Sequence, residues 1–326
     1  MNSTQIINKA IIYLPAFNEA EKIEQVINSL PRELSNVGKI EILVVDDGSI
    51  DDTVLIAHRV NAKVISHHKN RGLGIAFQNA VKYALDNDAD ILVSIDADGQ
   101  FDPNDIPALI SPLLSNKYHM VTGNRFYSGR PKNMPKSKYW GNKQVSKIVS
   151  LVSGVKFTDV SCGFRAYSRE ALYNLNLFGV YSYTHEAILN LVYKGLTIAE
   201  HPIEVKYFPE RKSRIASNLI KYTYNTSKII FRSMLDYRPL FFFGNLGFLC
   251  LLIGLLFVGY LLGFYFTTGA FTPYKSFGFI GLGFGIFGLL ILFIGLVADM
   301  LNRIRLNQDR ILYRMKIEAN SSAEDE

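Results

Sequence analysis

Two uncharged stretches near the carboxyl end constrain this chain most. Residues 240–266 and 277–298, runs of 27 and 22 residues, contain no Asp, Glu, Lys or Arg. A helix needs about 20 apolar residues to cross the hydrocarbon core of a bilayer. Soluble core helices are rarely this long and this uniformly apolar. The spacing predicts a two-helix membrane hairpin, too small to act as a channel or transporter by itself. The link between the runs carries one charge, Lys275. The outer flanks are basic, with Arg211, Lys212, Arg214, Lys221, Lys228, Arg232 and Arg238 ahead of the hairpin and Arg303, Arg305, Arg310, Arg314 and Lys316 behind it. Positive flanks stay inside. The expected placement is a multi-pass protein of the inner (plasma) membrane, with both termini and the bulk of the chain in the cytoplasm.

Residues 218–235 put Lys221, Lys228 and Arg232 near one helical face. That pattern suits an interfacial helix on anionic headgroups or an ordinary surface helix. Gly281, Gly285 and Gly288 would let helices approach closely, which points to a homo-oligomer. The net charge of +6 is concentrated beside the hairpin. Its position favours anionic lipid and phosphorylated substrates over nucleic acid. Cys162 and Cys250 offer no disulfide framework and no Cys-x-x-Cys metal site, as in a reducing compartment. Residues 1–9 lack the hydrophobic region of a signal peptide, so export is not expected.

Ahead of the hairpin, short apolar runs at 10–14, 40–45, 63–66, 91–95 and 119–122 read as strands. Helical patterns lie between them, one ending near residue 30 and another spanning 75–85. This alternation predicts an α/β, Rossmann-like domain with a mostly parallel sheet covered on both faces. The expected organisation is the α/β domain over 1–210, a basic juxtamembrane segment over 211–238, the hairpin over 239–302 and a cytoplasmic tail over 303–326. Ligands in such sheets bind at the carboxyl ends of the strands, and the acidic clusters sit there.

Asp46-Asp47 and Asp96-Ala97-Asp98 each follow a strand directly. Carboxylates facing one crevice suit Mg²⁺ or Mn²⁺, held together with substrate phosphates. Strand-end aspartates also cap helices, so the pairs alone leave both readings open. Arg71-Gly72-Leu73-Gly74 before a helix would offer N–H groups and a cation to a phosphate, or is a plain loop. Arg125 and Arg165 follow a strand or turn and would hold phosphates, or are surface residues.

The order of these motifs adds information. Pro15-Ala16-Phe17-Asn18-Glu19, Asp46-Asp47-Gly48-Ser49-x-Asp51-x-Thr53, Arg71-Gly72-x-Gly74, Asp96-Ala97-Asp98-Gly99-Gln100, Gly123-Asn124-Arg125 and Asp159-x-x-Cys162-Gly163-Phe164-Arg165 follow one another. This set resembles the family-2 glycosyltransferases of the GT-A fold. It is similar in particular to the polyprenyl-phosphate glycosyltransferases, a group that includes dolichyl-phosphate mannose synthase. The paired spans resemble the bacterial members that glycosylate undecaprenyl phosphate.

The resemblance implies a role for each matched residue. Pro15, Phe17, Glu19, Asp46 and Asp47 would bind the nucleotide part of a nucleotide-sugar, and Arg71 and Arg125 would contact the donor. Asp96 and Asp98 would hold the metal, with Gln100 beside them. Asp159 would sit near the reacting centre and Arg165 near the acceptor. Arg211, Lys212 and Arg214 would meet the acceptor phosphate. The implied reaction is inverting transfer of a hexose, from UDP-glucose in the first instance, to a membrane polyprenyl phosphate. A GDP-mannose-dependent mannose synthase and a non-catalytic nucleotide-binding membrane scaffold are the alternatives.

There are departures from the family pattern. Gly99 and Phe101 flank Gln100 where relatives often carry a hydrophobe and a histidine, and Arg211-Lys212-Ser213-Arg214 replaces a glycine-bearing loop. The single tryptophan, Trp140, does not complete the Gln-x-x-Arg-Trp motif of processive synthases, so a single-transfer enzyme is expected.

Overall fold

The first strand, β1 (Ile7–Ala16), carries Ala10, Ile11, Ile12, Tyr13 and Leu14 in succession, all completely buried. A strand apolar on both faces needs cover on both, the condition met by a parallel sheet between helices. The computed structural model describes residues 6–179, 183–207, 227–228, 231–232 and 234–324. Among these, β1 is joined by β2 (Val37–Asp46), β3 (Lys63–Ser66), β4 (Ile91–Ser94), β5 (Met120–Asn124), β6 (Arg165–Ser168) and β7 (Ile198–Pro202). They form one sheet in the order β3-β2-β1-β4-β6-β5-β7. Only β6 runs against its neighbours, β4 and β5; every other pairing is parallel.

Between the strands lie α1 (Ile23–Ser29), α2 (Thr53–Arg59), α3 (Leu73–Asp86), α4 (Ile106–Leu114), α5 (Lys136–Ser153), α6 (Arg169–Asn174) and α7 (Thr184–Tyr193). Ile12, Leu14, Val44 and Val93 face α1 and α4, which contribute Ile23, Ile27, Leu109 and Ile110 to the same core. Burying each such side chain is worth about 1.5–3 kcal/mol. Tyr13 points to the opposite face. There Phe77 of α3 lies 6.1 Å from its ring and stacks on Tyr183 at 3.8 Å.

The chain divides into two compact units, Met1–Ile230 with Leu312–Glu326, and Phe231–Ile311. The second unit contains α8 (Pro239–Thr268) and most of α9 (Lys275–Glu324). Both helices are long and apolar enough to cross a membrane. Leu255, Phe266, Phe279 and Leu289 are exposed on them.

Two of the three glycines singled out in the second apolar run, Gly281 and Gly288, make close contacts inside the hairpin. A Cβ at Gly281 would lie 2.8 Å from the Gly254 carbonyl oxygen, and one at Gly288 would lie 2.9 Å from that of Gly247. Their lack of a side chain lets α8 and α9 touch backbone to backbone. A Cβ at Gly285 would meet nothing within 4 Å.

The stretch after residue 303, expected as a tail, is helical. The α9 helix continues to Glu324, and its last part belongs to the first unit. Tyr313 donates its hydroxyl proton to the Glu170 carboxylate at 3.0 Å. The Lys316 ammonium donates to the carbonyls of Tyr173 and Leu175 at 3.1 and 2.9 Å. These carbonyls close α6 and lack partners within it, so the lysine satisfies acceptors that a helix end leaves open. Of the juxtamembrane stretch 218–235, residues 218–226, 229, 230 and 233 lie outside the described residues.

Candidate active site

The carboxyl ends of the six co-directional strands share one edge of the sheet, and antiparallel β6 begins there. The loops leaving that edge build the site. Pro15, near the end of β1, and Phe17 and Glu19, just after it, are all half-buried. Their loop is laced to the one after β2. The N–H of Asn18 donates to Ser49 Oγ at 2.8 Å, that of Glu19 to Thr53 Oγ1 at 2.8 Å, and that of Ile50 to Asn18 Oδ1 at 2.9 Å. Asp51 joins this lattice. Burial acts to raise its carboxyl, but Thr53 Oγ1 and the N–H groups of Ala20 and Thr53 outweigh that and hold it below its ordinary pKa. Gly48 makes the turn possible. Its φ is +81°, and a Cβ there would lie 2.6 Å from the Lys69 backbone.

Asp46 and Asp47 are buried, and each has a structural task. Asp46 accepts from the Ser49 N–H at 3.1 Å and from Ser66 Oγ at 2.7 Å. Asp47 Oδ1 accepts from the Arg71 N–H at 2.8 Å, and Oδ2 from the Gly72 N–H at 2.8 Å. His67 Nδ1 also lies 2.8 Å from Asp47 Oδ1, while the Asn79 amide N–H faces His67 Nε2 at 2.7 Å. With the Asn79 amide in this orientation, Nε2 accepts and Nδ1–H donates to Asp47. The network holds the Arg71-Gly72 loop in place, with the Arg71 side chain exposed. Sequence reasoning did not single out His67 or Asn79, because no motif spacing links them to Asp47. Replacing His67 by leucine is expected to raise the donor KM about ten-fold with kcat nearly unchanged, the loss of about one hydrogen bond's positioning. His67→Asn, whose amide replaces the Nδ1–H donor, should recover most of that loss in steady-state kinetics.

After β4, Ala97 points into the core while Asp96 and Asp98 stay half exposed. Asp98 Oδ1 accepts the Gln100 N–H at 3.0 Å, closing a tight turn through Gly99 at φ +73°. The Asp96 carboxylate lies against Gly163, where a Cβ would sit 3.1 Å from Oδ1. A glycine thus leaves the room that a carboxylate and its ligand need. Two hard oxygen donors in an open crevice fit a divalent cation that completes its shell from substrate phosphates. Next to this turn, Gln100 O accepts the Lys206 N–H at 2.9 Å and Phe101 pairs with Val205, bringing Tyr207 alongside. Phe101 is buried and packs 5.3 Å from the Phe164 ring, so at this position the chain builds core.

Arg125, expected on the donor, is bound by Asp159. Nε donates to Oδ2 at 2.6 Å and Nη2 to Oδ1 at 2.8 Å. Asp159 is completely buried, and Glu200 of β7 holds its loop by accepting the N–H groups of Thr158 and Asp159 at 2.8 and 2.7 Å. Burial opposes the Arg125 charge, but Asp159 outweighs it and raises the guanidinium well above its ordinary pKa.

Arg165 corrects the expectation of an acceptor contact. It is 0% exposed, and its guanidinium donates to the carbonyls of Cys162, Thr184 and Val160 at 2.7, 2.7 and 2.8 Å. It ties the loop before β6 to α7. Arg211, Lys212 and Arg214 lie outside the described residues.

The same region carries a pH response. Burial first, then the Arg165 charge, pushes His185 down to about 3, against the pull of Asp159. Unfolded, the imidazole would take a proton below about 6.5. Its folded pKa is lower, so the unfolded state binds the proton first as pH falls. Stability is then lost below pH ~6.5, by up to about 1.4 kcal/mol per pH unit from this group. Thermal unfolding of the full chain in detergent should show a shallower decline over that range in His185→Gln than in the parent.

With this geometry in view, residues 11–175 match Glycosyl transferase family 2. The chain belongs to that family. The family-2 glycosyltransferase is 35% identical over 220 residues to the UDP-N-acetylglucosamine--dolichyl-phosphate N-acetylglucosaminyltransferase of Methanococcus voltae, covering 60% of this chain and 86% of that protein. It is 26% identical over 210 residues to the undecaprenyl-phosphate mannosyltransferase of Micrococcus luteus, covering 63% and 85%. The glucosyl-3-phosphoglycerate synthase of Mycobacterium tuberculosis, solved with Mn²⁺, UDP and glucosyl-3-phosphoglycerate, superposes with a TM-score of 0.54 at 22% identity over 69% of this chain and 80% of that one. That likeness establishes a shared GT-A fold.

Proposed function

We propose that this glycosyltransferase transfers a hexose from a nucleotide-sugar to a polyprenyl phosphate at a membrane surface. The observation that carries the reading is the Asp96–Asp98 pair at the carboxyl edge of the sheet, in the same chain as two helices of membrane-spanning length. The relatives described above act on dolichyl and undecaprenyl phosphates, which supports the acceptor class. Their sugars differ, so the donor is ours to assign, and UDP-glucose is the first choice, ahead of GDP-mannose.

Asp96 and Asp98 would hold Mg²⁺ or Mn²⁺, which when bound supplies positive charge against the departing diphosphate. Pro15, Phe17 and Glu19 line the nucleoside side, and Asp47 aligns the Arg71-Gly72 loop there. The acceptor phosphate approaches opposite the leaving group and inverts the anomeric carbon. A phosphate monoester has a second pKa of about 6, so it arrives as an anion and needs no base. Asp159, engaged by both arms of Arg125, accordingly shapes the site. The work left to the protein is positioning and charge stabilisation.

Residues 313 and 316 touch α6, so the chain after the hairpin returns to the domain that precedes it. That supports an even number of crossings, and the basic flanks support a cytoplasmic domain at the plasma membrane. The test is to supply membranes with undecaprenyl phosphate, Mg²⁺ or Mn²⁺ and a panel of radiolabelled nucleotide-sugars, then count label in the organic phase. Label from one donor, abolished by EDTA, is the expected result. No label from any donor, with folded protein and lipid present, overturns the reading.

A further inference from the structure

The site contains a cation that no sequence motif marked. Lys138 lies in the first turn of α5 and is half-buried. Its ammonium sits 5.1 Å above the ring of Tyr207, whose hydroxyl accepts from Arg125 Nη1 at 3.4 Å. Tyr207 in turn follows Lys206, which is paired to Gln100 in the Asp98 turn. The Tyr207 ring thereby links Lys138 to the Arg125–Asp159 pair, and the segment carrying that ring is hydrogen-bonded beside the Asp98 turn.

The other cations of this region have set partners. Arg125 is bound by Asp159, and Arg165 is enclosed by carbonyls. Arg71 stands on the nucleoside side, on the loop after β3. Among the described residues, no carboxylate forms a salt bridge with Lys138. Burial, then Arg125, holds its ammonium below the ordinary lysine pKa, while Asp98 and Asp96 pull the other way. A desolvated ammonium beside a carboxylate pair is stabilised by an incoming anion once that pair's charge is offset.

We propose that Lys138 receives a phosphate oxygen at the reacting centre. The inference rests on the transfer reaction proposed above. Its place in the fold indicates which phosphate is involved. The nucleoside loops follow β1, β2 and β3, on one side of β4, whereas α5 follows β5 on the other. The acidic pair after β4 lies between them. Lys138 therefore approaches from the side opposite the nucleoside, the side that an in-line reaction leaves for the acceptor's monoester.

The experiment compares the full-length protein in detergent with Lys138→Met, Lys138→Gln and Lys138→Arg, each checked for its thermal unfolding midpoint. In Lys138→Met the KM for polyprenyl phosphate should rise about ten-fold or more, the loss of one charge-assisted hydrogen bond, with the nucleotide-sugar KM held within about two-fold. Lys138→Arg should recover most of it. A rise confined to the nucleotide-sugar KM would assign the contact to the donor's diphosphate instead. Folded Met and Gln variants with both KM values and kcat unchanged would overturn the proposal. A parent protein that transfers no sugar would count against the reaction itself. The contact is then read from calorimetric binding of UDP, GDP and geranyl phosphate. A tenfold weakening of at least one in Lys138→Met supports it, and unchanged binding of all three refutes it.

Discussion

Asp98→Ala is expected to lower turnover at least about a thousand-fold and to leave the protein folded. The carboxylate is half exposed, and its Oδ1 bond to the Gln100 N–H is worth about 1 kcal/mol to the turn. Its charge matters more. In the proposed reaction Asp98 and Asp96 together hold the divalent ion, and electrostatic stabilisation of this kind commonly supplies several kcal/mol to a transition state. Asp98→Asn separates the two contributions. The amide oxygen still accepts from Gln100, so the unfolding temperature should stay at the parent value, but an amide is a poor ligand for a hard cation and turnover should fall as in the alanine variant. The measurements are label transfer to the organic phase and thermal unfolding of the same samples. An asparagine variant that keeps full activity in the presence of EDTA would remove the metal role.

Asp159→Ala acts on the fold before it acts on the reaction. The carboxylate is completely buried and carries both arms of Arg125 as well as the Arg125 and Ser161 N–H groups. Removing it strands a guanidinium that is only slightly exposed. Breaking such a pair costs about 3–5 kcal/mol. The midpoint of chemical unfolding should drop accordingly, and activity should disappear at temperatures where the parent still works. The double variant Arg125→Met with Asp159→Leu should be less destabilised than the sum of its single changes, since it leaves no charge unpaired. A stable Asp159→Ala protein with slow turnover would instead return Asp159 to the chemistry.

The sheet was legible because its central strands are short, apolar and followed by turn residues. The runs at 10–14, 40–45, 63–66, 91–95 and 119–122 all overlap strands β1 to β5. β6 and β7 escaped notice for a physical reason. Arg165-Ala166-Tyr167-Ser168 and Ile198-Ala199-Glu200-His201-Pro202 mix polar and apolar residues, because charged side chains there complete networks inside the domain. Arg165 illustrates the limit. Its partners are three backbone carbonyls, and backbone leaves no mark in the sequence. His67 and Lys138 are similar, lying 20 residues from Asp47 and beyond any spacing rule from Asp98. The acidic pairs, in contrast, stand directly at strand ends, where sheet geometry alone directs them to the crevice.

The return of the chain to α6 after the hairpin has a practical side. The domain is discontinuous, and the apolar two-helix unit is an insertion within it. Val81 and Leu85 of α3, with Leu175 and Leu177, are buried in a domain that includes residues from 312 onward. A soluble fragment ended by a stop codon ahead of the first span would lack the Lys316 ammonium that closes α6 and the Tyr313 hydroxyl that holds Glu170. A fragment made by splicing residues 312–324 back through a flexible linker would keep those contacts. During synthesis the same arrangement delays completion: the ribosome must finish both spans before the domain receives its final helix.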